Sequence, residues 1–308
     1  MTRYFTLFTV LFFFLLASLP SCKDFEGSLT VPSYLRIDTV RVSCDYYIYG
    51  ANTHHITDVW VSLDDNDLGA YELPAMIPVL AEGSHKIAIY PGIKVNGIAQ
   101  TRADYPFLAP AEYGEINFVK DSVITLVPTF SYYPDGDNLH VRWIEDFDGA
   151  FVSLESTSTS DVPVTRVNGP QAWHDSLGVY SSYSGKLVLT SDTLCFQVAT
   201  SEQFEDLPTT GSACMLEMDY KCSDTCLVGL YYQESGRVYE YPILRVTPSA
   251  PSGVEPTQWK KIYVNIGPYL VENKDADYFK LYFSSWSSRN AGTQYFYLDN
   301  LKLIYRDR

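Results

Sequence analysis

The sequence predicts a mainly β protein in two parts, a small N-terminal sandwich followed by a larger C-terminal jelly roll of two sheets. Three observations predict it. Residues that favour a pleated surface are abundant, with 25 Tyr, 16 Phe and 5 Trp in 308 residues. Short segments of alternating apolar and polar residues recur along the chain, separated by Gly, Pro, Asn and Asp. Long blocks of Ala, Glu, Lys and Leu with a helical period are missing. At this length two domains are expected, each large enough to bury a core.

The chain opens with Arg3 and an apolar run from Tyr4 to Ala17, the charged start and greasy middle of a signal peptide. That run is too short to cross a hydrocarbon core as a helix, which takes about 20 residues. Leu19-Pro20-Ser21-Cys22 resembles the lipobox of bacterial lipoproteins. The resemblance implies cleavage of residues 1–21, a diacylglycerol on the Cys22 thiol and a further acyl chain, such as palmitate, on its new amine. Two or three acyl chains hold a protein on a bilayer far more firmly than one. Cys22-Lys23-Asp24-Phe25-Glu26 resembles the surface-export signal of Bacteroidota lipoproteins, which implies an outer-membrane protein facing the cell exterior. Residues 22–34, polar with a Gly and a Pro, read as a tether.

Residues 35–130 read as the small sandwich. Val59, Val61 and Leu63 share one face of a strand, and Asp64-Asp65-Asn66-Asp67 turns it. Leu73-Pro74 and Ile77-Pro78 fall where a central strand would not accept proline. After Glu82-Gly83 comes the alternating run His85 to Tyr90, and Val95-Asn96-Gly97-Ile98 is a hairpin signal, since Asn-Gly takes the positive φ angles of a type I′ turn. Ile116 to Val119 and Val123 to Val127 complete about six or seven strands, a count that suits an Ig-like sandwich. The stretch from Val59 to Tyr90 also resembles the PEGA repeats of bacterial surface proteins, which implies a spacer role.

Ser131-Tyr132-Tyr133-Pro134-Asp135-Gly136-Asp137-Asn138 gathers turn formers and reads as a linker, residues 131–138. Asp135-x-Asp137 lacks the downstream glutamate of an EF-hand. Residues 139–308 carry nine strand signals: 141–144, 186–189, 193–198, 213–220, 227–233, 239–245, 259–266, 278–283 and 295–305, with no convincing helix. Trp143-Ile144-Glu145-Asp146-Phe147-Asp148-Gly149 and Tyr295-Phe296-Tyr297-Leu298-Asp299-Asn300-Leu301 resemble the first and last strands of galactose-binding-like jelly rolls, a fold common among carbohydrate-binding modules. In that resemblance a structural Ca²⁺ joins the first strand's acidic loop to the last strand's aspartate, which implies Glu145, Asp148 and Asp299 as its ligands.

Composition narrows the function classes. With 22 Lys+Arg against 37 Asp+Glu the net charge is −15, which argues against nucleic acid and against adhesion to anionic lipid by charge. No His-Glu-x-x-His, Gly-x-Ser-x-Gly, phosphate loop or Cys-x-x-Cys occurs. Glu205-Asp206 and Glu145 with Asp146 are the carboxylate pairs nearest to a glycosidase, the minor reading. Cys44, Cys195, Cys214, Cys222 and Cys226 are an odd set, so at least one stays unpaired, and Cys222-x3-Cys226 with Cys214 is too loose for a zinc clip. His54-His55 reads as a surface pair.

A glycan site combines aromatic platforms with hydrogen-bonding groups, because sugar rings present apolar C–H faces. Trp173, Tyr180, Tyr183, Tyr232, Trp286 and Arg289 are the candidates. Tyr231 and Tyr232 are adjacent on a strand and must face opposite sides, and Trp286, among serines, is the aromatic expected to be exposed. The chain thus reads as a non-catalytic surface lipoprotein, with glycan favoured as ligand over docking on an outer-membrane assembly, secretion or transport complex.

Overall fold

The computed structural model describes residues 31–134, 138–174, 178, 181–288 and 292–307. The signal peptide, Cys22 and most of the tether lie outside them. The first half forms β1 (Ser33–Ile37), β2 (Arg41–Val42), a single helical turn α1 (Tyr46–Tyr49), β3 (Asp58–Leu63), β4 (Asn66–Glu72), β5 (Ala75–Val79), β6 (Gly83–Lys94), β7 (Arg102–Asp104), β8 (Ala111–Phe118), β9 (Val123–Leu126) and β10 (Thr129–Phe130). The second half forms β11 (Leu139–Glu145), β12 (Leu154–Ser156), β13 (Thr165–Val167), β14 (Ser184–Leu189), β15 (Cys195–Thr200), β16 (Ala213–Cys222), β17 (Cys226–Glu234), β18 (Arg237–Val246), β19 (Lys260–Asn265), a short helix α2 (Gly267–Glu272), β20 (Tyr278–Trp286) and β21 (Gln294–Arg306).

In the first half a β5-β1-β9 sheet faces a β4-β3-β6-β7 sheet with β8 also paired to β6. Leu35, Ile37, Ile77, Val79, Val59, Val61, Ile87 and Ile89 alternate inward from the two sheets and are buried between them. Pro78 sits in β5, an edge strand, where a missing N–H costs no ladder bond. Asn96 and Gly97 take φ of 57° and 69°, the signs of a type I′ turn. The ladder nevertheless resumes only at Lys94↔Arg102, because Val95 pairs with Tyr263 and Asn96 N–H donates to Tyr263 O at 2.8 Å. The turn is spent on docking against the second half.

The second half is a sandwich of β13-β14-β21-β16-β19, with β11 on β21, against β12-β15-β20-β17-β18. Its core holds Trp143, Phe147, Phe196, Leu216, Met218, Val228, Leu230, Leu281, Phe283, Phe296 and Leu303. The stretch from Trp143 to Gly149 has a structural explanation. The Glu145 carboxylate accepts from the Phe147 and Ser153 N–H groups and the Ser153 hydroxyl. Phe147, at φ 60°, turns its ring inward against Gly185, where an added Cβ would lie 2.5 Å from that ring.

The two halves are joined through polar groups. Apolar residues of β16 face the sandwich core, so Glu217 and Asp219 alternate onto the opposite face and meet the first half. Glu217, 1 % exposed, accepts from the Tyr105 hydroxyl at 2.5 Å and the Tyr132 hydroxyl at 2.7 Å. It also pairs with Lys261 at 3.0 Å and Lys302 at 3.5 Å. Met215, Tyr263 and Ile304 complete the first half's core from the second. Tyr132, inside the expected linker, is buried in this contact, whereas Asp135, Gly136 and Asp137 lie outside the described residues. All five cysteines described are free thiols, four of them buried.

Candidate functional site

The first half covers the outer face of the β16-bearing sheet. The opposite outer face, on β12-β15-β20-β17-β18, is built by register. Val198, Val228, Leu230, Leu281 and Phe283 point into the core, so their neighbours point out. Gln197 faces Ser284, which in turn pairs with Leu227; Gly229 faces Tyr282; Tyr231 faces Lys280 and Glu240; and Cys195 faces Trp286.

Gly229 matters for what it lacks: a Cβ there would stand 2.4 Å from the Tyr282 ring, which lies over the bare backbone. Tyr231 leans on that ring at 4.7 Å between centroids and 36° between planes. The Gln197 side-chain oxygen accepts from the Thr157 and Thr159 hydroxyls at 2.8 and 2.5 Å, and its amide donates to Glu240 at 3.2 Å. Lys280 pairs with Glu155 at 2.5 Å at the margin. Trp286, 56 % exposed, ends β20 at the rim. Burial, then the nearby Glu240 charge, pushes the Tyr231 hydroxyl up to about 12 and the Tyr282 hydroxyl higher still. The buried Tyr282 hydroxyl lies by the Glu240 carboxylate, and the Ser284 hydroxyl is buried with no hydrogen-bond partner among the described residues. The exposed Trp286, the half-buried Tyr231 and the exposed Glu240 carboxylate thus lie on one sheet face, over a buried layer of Tyr282, Gln197 and Ser284, and a ring beside a hydrogen-bonding group is what a polyhydroxylated ring uses.

No protein-family profile matches the chain, and no curated protein does either. Among solved structures it is similar in layout to a carbohydrate-binding module of the β-sandwich superfamily, at 12% identity over 80% of this chain and 84% of that one, with a TM-score of 0.37. A family 11 module from Clostridium thermocellum, in complex with a β-1,3-1,4-mixed-linked tetrasaccharide, matches at 14% identity over 52% of this chain and 92% of its own, TM-score 0.35. A module in complex with β-1,4-galactotriose matches at 14% identity over 50% and 87%, TM-score 0.29. Likeness at this level concerns layout and says nothing of ligand.

The structure separates the residues singled out from sequence. Trp286 lies on the sheet face just described. Tyr232 does not: it packs on the core side, stacked on Tyr239 at 5.1 Å, and the outward tyrosine is Tyr231. Alternation fixes that one of the pair faces out, and pairing of Tyr232 with Phe279 decides which. Trp173 lines a cleft between the two halves. Tyr183, under Arg166 at 5.0 Å, sits beside Asp148 at the start of β14. Tyr180 and Arg289 lie outside the described residues.

The three expected calcium ligands are engaged in hydrogen bonds. Glu145 holds the turn after β11, Asp148 accepts from the Ser182 and Tyr183 N–H groups, and Asp299 accepts from the Ser184 hydroxyl and Asn300 N–H. Among the described residues no three His, Cys, Asp or Glu side chains gather as a metal-holding group, and that includes the Cys214, Cys222, Cys226 set. Of the carboxylate pairs, Asp206 binds Arg142 at 2.7 Å, and Glu145 holds its turn while Asp146 accepts from Tyr46 at 2.6 Å.

Proposed function

We propose that the chain is a non-catalytic, lipid-anchored recognition protein of the outer-membrane surface that binds glycan on the outward face of β15, β20, β17 and β18. The observation that carries the reading is the placement of the exposed Trp286 and the half-buried Tyr231 beside the exposed Glu240 on the outward sheet face, backed by the buried Tyr282, Gln197 and Ser284. The lipobox-like Leu19-Pro20-Ser21-Cys22 supports the anchor, and the acidic stretch after Cys22 supports export to the cell exterior. Tethering raises the effective concentration of a weak binder near its target. Affinity electrophoresis of the full chain through gels holding neutral polysaccharides tests the reading. Retardation by at least one polysaccharide, lost in Trp286→Ala and Tyr231→Ala, is expected; unretarded migration across the panel contradicts it.

One observation favours a second reading, an accessory subunit of an outer-membrane protein complex. Leu80, 70 % exposed, and Val119, Val123 and Val31 surround Pro32–Tyr34, where the tether enters the first half. An apolar group at the root of a tether suits a membrane-embedded partner. Co-purification with a barrel protein after detergent extraction, lost in Leu80→Glu, would favour this reading over glycan.

A further inference from the structure

A second candidate site lies off that sheet face. It is a cleft of about 1140 Å³ between the two halves, walled by the β2 and 52–55 segments of the first and by β19, the end of β18 and residues 173–174 of the second. Two indoles, Trp173 and Trp259, line it, both part-exposed. Trp259 is held in place: its Nε1 donates to Ala172 O at 3.2 Å and Lys221 Nζ stands 4.7 Å from its ring centroid.

The charge of this cleft is opposite to that of the chain. Arg41, Lys94, Arg245, Lys260 and Lys261 line it against a single carboxylate, Asp219, in a protein of net charge −15. Three of the five cations are already engaged: Lys94 with Glu72, Lys260 with Pro248 O, and Lys261 with Glu217 and Asp219. Arg41 and Arg245 are exposed, and neither guanidinium has a hydrogen-bond or ion-pair partner among the described residues. His54 adds a buried Nδ1 without a partner. A concave surface of one sign focuses field lines and raises the local concentration of counter-ions. Guanidinium groups match planar or tetrahedral oxyanions with paired N–H bonds.

We propose that this cleft is a second binding site, and that its ligand is an anionic oligosaccharide whose uronate carboxylate or sulfate ester meets Arg41 and Arg245 while a sugar ring rests on Trp173 or Trp259. The site stands apart from Trp286 and does not depend on glycan binding at the sheet face. Isothermal titration of the full chain at low salt with an oligogalacturonate, a sulfated galactan oligosaccharide and a neutral galacto-oligosaccharide tests it. At least one anionic probe is expected to bind, and which one binds tells carboxylate from sulfate recognition. Because neither guanidinium has a partner among the described residues and alanine keeps the backbone bonds, the double variant Arg41→Ala/Arg245→Ala should melt as the wild type does. It should weaken the anionic probe by about tenfold or more, and added salt should weaken the wild type likewise. Trp286→Ala should leave this binding unchanged. Failure of both anionic probes to bind, or binding indifferent to the arginine pair, overturns the proposal; loss of neutral-glycan binding alone overturns only the sheet-face reading.

Discussion

Replacing Glu217 tests whether the two sandwiches are locked by their buried charges. The carboxylate, at 1 % exposure, satisfies two tyrosine hydroxyls from the first half and two lysines from the second. Burial alone would raise its pKa, yet Lys302, Lys261 and the two hydroxyls bring it down to about 2. Glu217→Gln keeps the shape and removes the charge. Lys302 then has no carboxylate within ion-pairing distance among the described residues, whereas Lys261 keeps Asp219 at 3.7 Å. Breaking a buried pair on one side costs about 3–5 kcal/mol. At roughly 2 °C per kcal/mol for a protein of this size, the melting temperature should fall by roughly 6–10 °C. Adding Lys302→Met to Glu217→Gln should restore part of the loss, by about 1–3 kcal/mol relative to the sum of the single changes. Guanidinium unfolding followed by tryptophan fluorescence reads all three variants. The pH dependence has a definite sign. A carboxylate whose folded pKa is depressed contributes stability that is present above its ordinary 4.5 and is lost as pH falls toward about 2. A Glu217→Gln loss below about 1 kcal/mol, or equal at pH 7 and pH 2, would refute the reasoning.

Further outcomes follow from other sites. Burial pushes the Asp299 carboxyl up to about 8, so the folded chain holds a proton the unfolded one releases. Stability should therefore fall as pH rises from about 4 to about 8, and Asp299→Asn should flatten that slope in urea unfolding. A slope that Asp299→Asn leaves intact rejects this assignment. Melting in EDTA and in Ca²⁺ tests the expected ion: a rise with Ca²⁺ that Asp148→Ala removes would establish a calcium centre at Glu145, Asp148 and Asp299, and equal melting would reject it. Gly229→Ala should destabilise by about 1–3 kcal/mol, because its Cβ lands on the Tyr282 ring; an unchanged melt contradicts that packing. Cys22→Ser should release the protein from the membrane fraction, and a variant still bound and correctly cleaved contradicts the anchor.

The strands were legible wherever alternation ran for four residues or more. All nine signals beyond residue 139 fall on strands, within a few residues at each end. The missed elements are short: β12 and β13 have three residues each, and α2, begun by Gly267-Pro268, is too brief to show a helical period. The interface was invisible for a different reason. Tyr132 and Glu217 are 85 positions apart, and nothing local announces such a bond. A weaker signal did exist in β16, where Glu217, Asp219 and Lys221 alternate with Leu216, Met218 and Tyr220. Three charges on one face of an otherwise apolar strand imply a polar cover. The candidate aromatics do not share one surface, because sequence marks neither the exposure nor the face of an aromatic: Trp286 lies on the outward sheet face, Tyr232 packs on the core side and Trp173 lines the cleft.

The central claim is that the outward face of β15, β20, β17 and β18 binds a sugar through its rings. Titrating the full chain with whichever neutral oligosaccharide corresponds to a retarding polysaccharide, beside Trp286→Ala, Tyr231→Ala and Arg41→Ala, tests it most directly. The account predicts that the two aromatic variants each weaken binding by about tenfold or more, corresponding to about 1.4 kcal/mol for a lost stacking contact, and that Arg41→Ala binds as the wild type does. Equal affinity in wild type and both aromatic variants would contradict it.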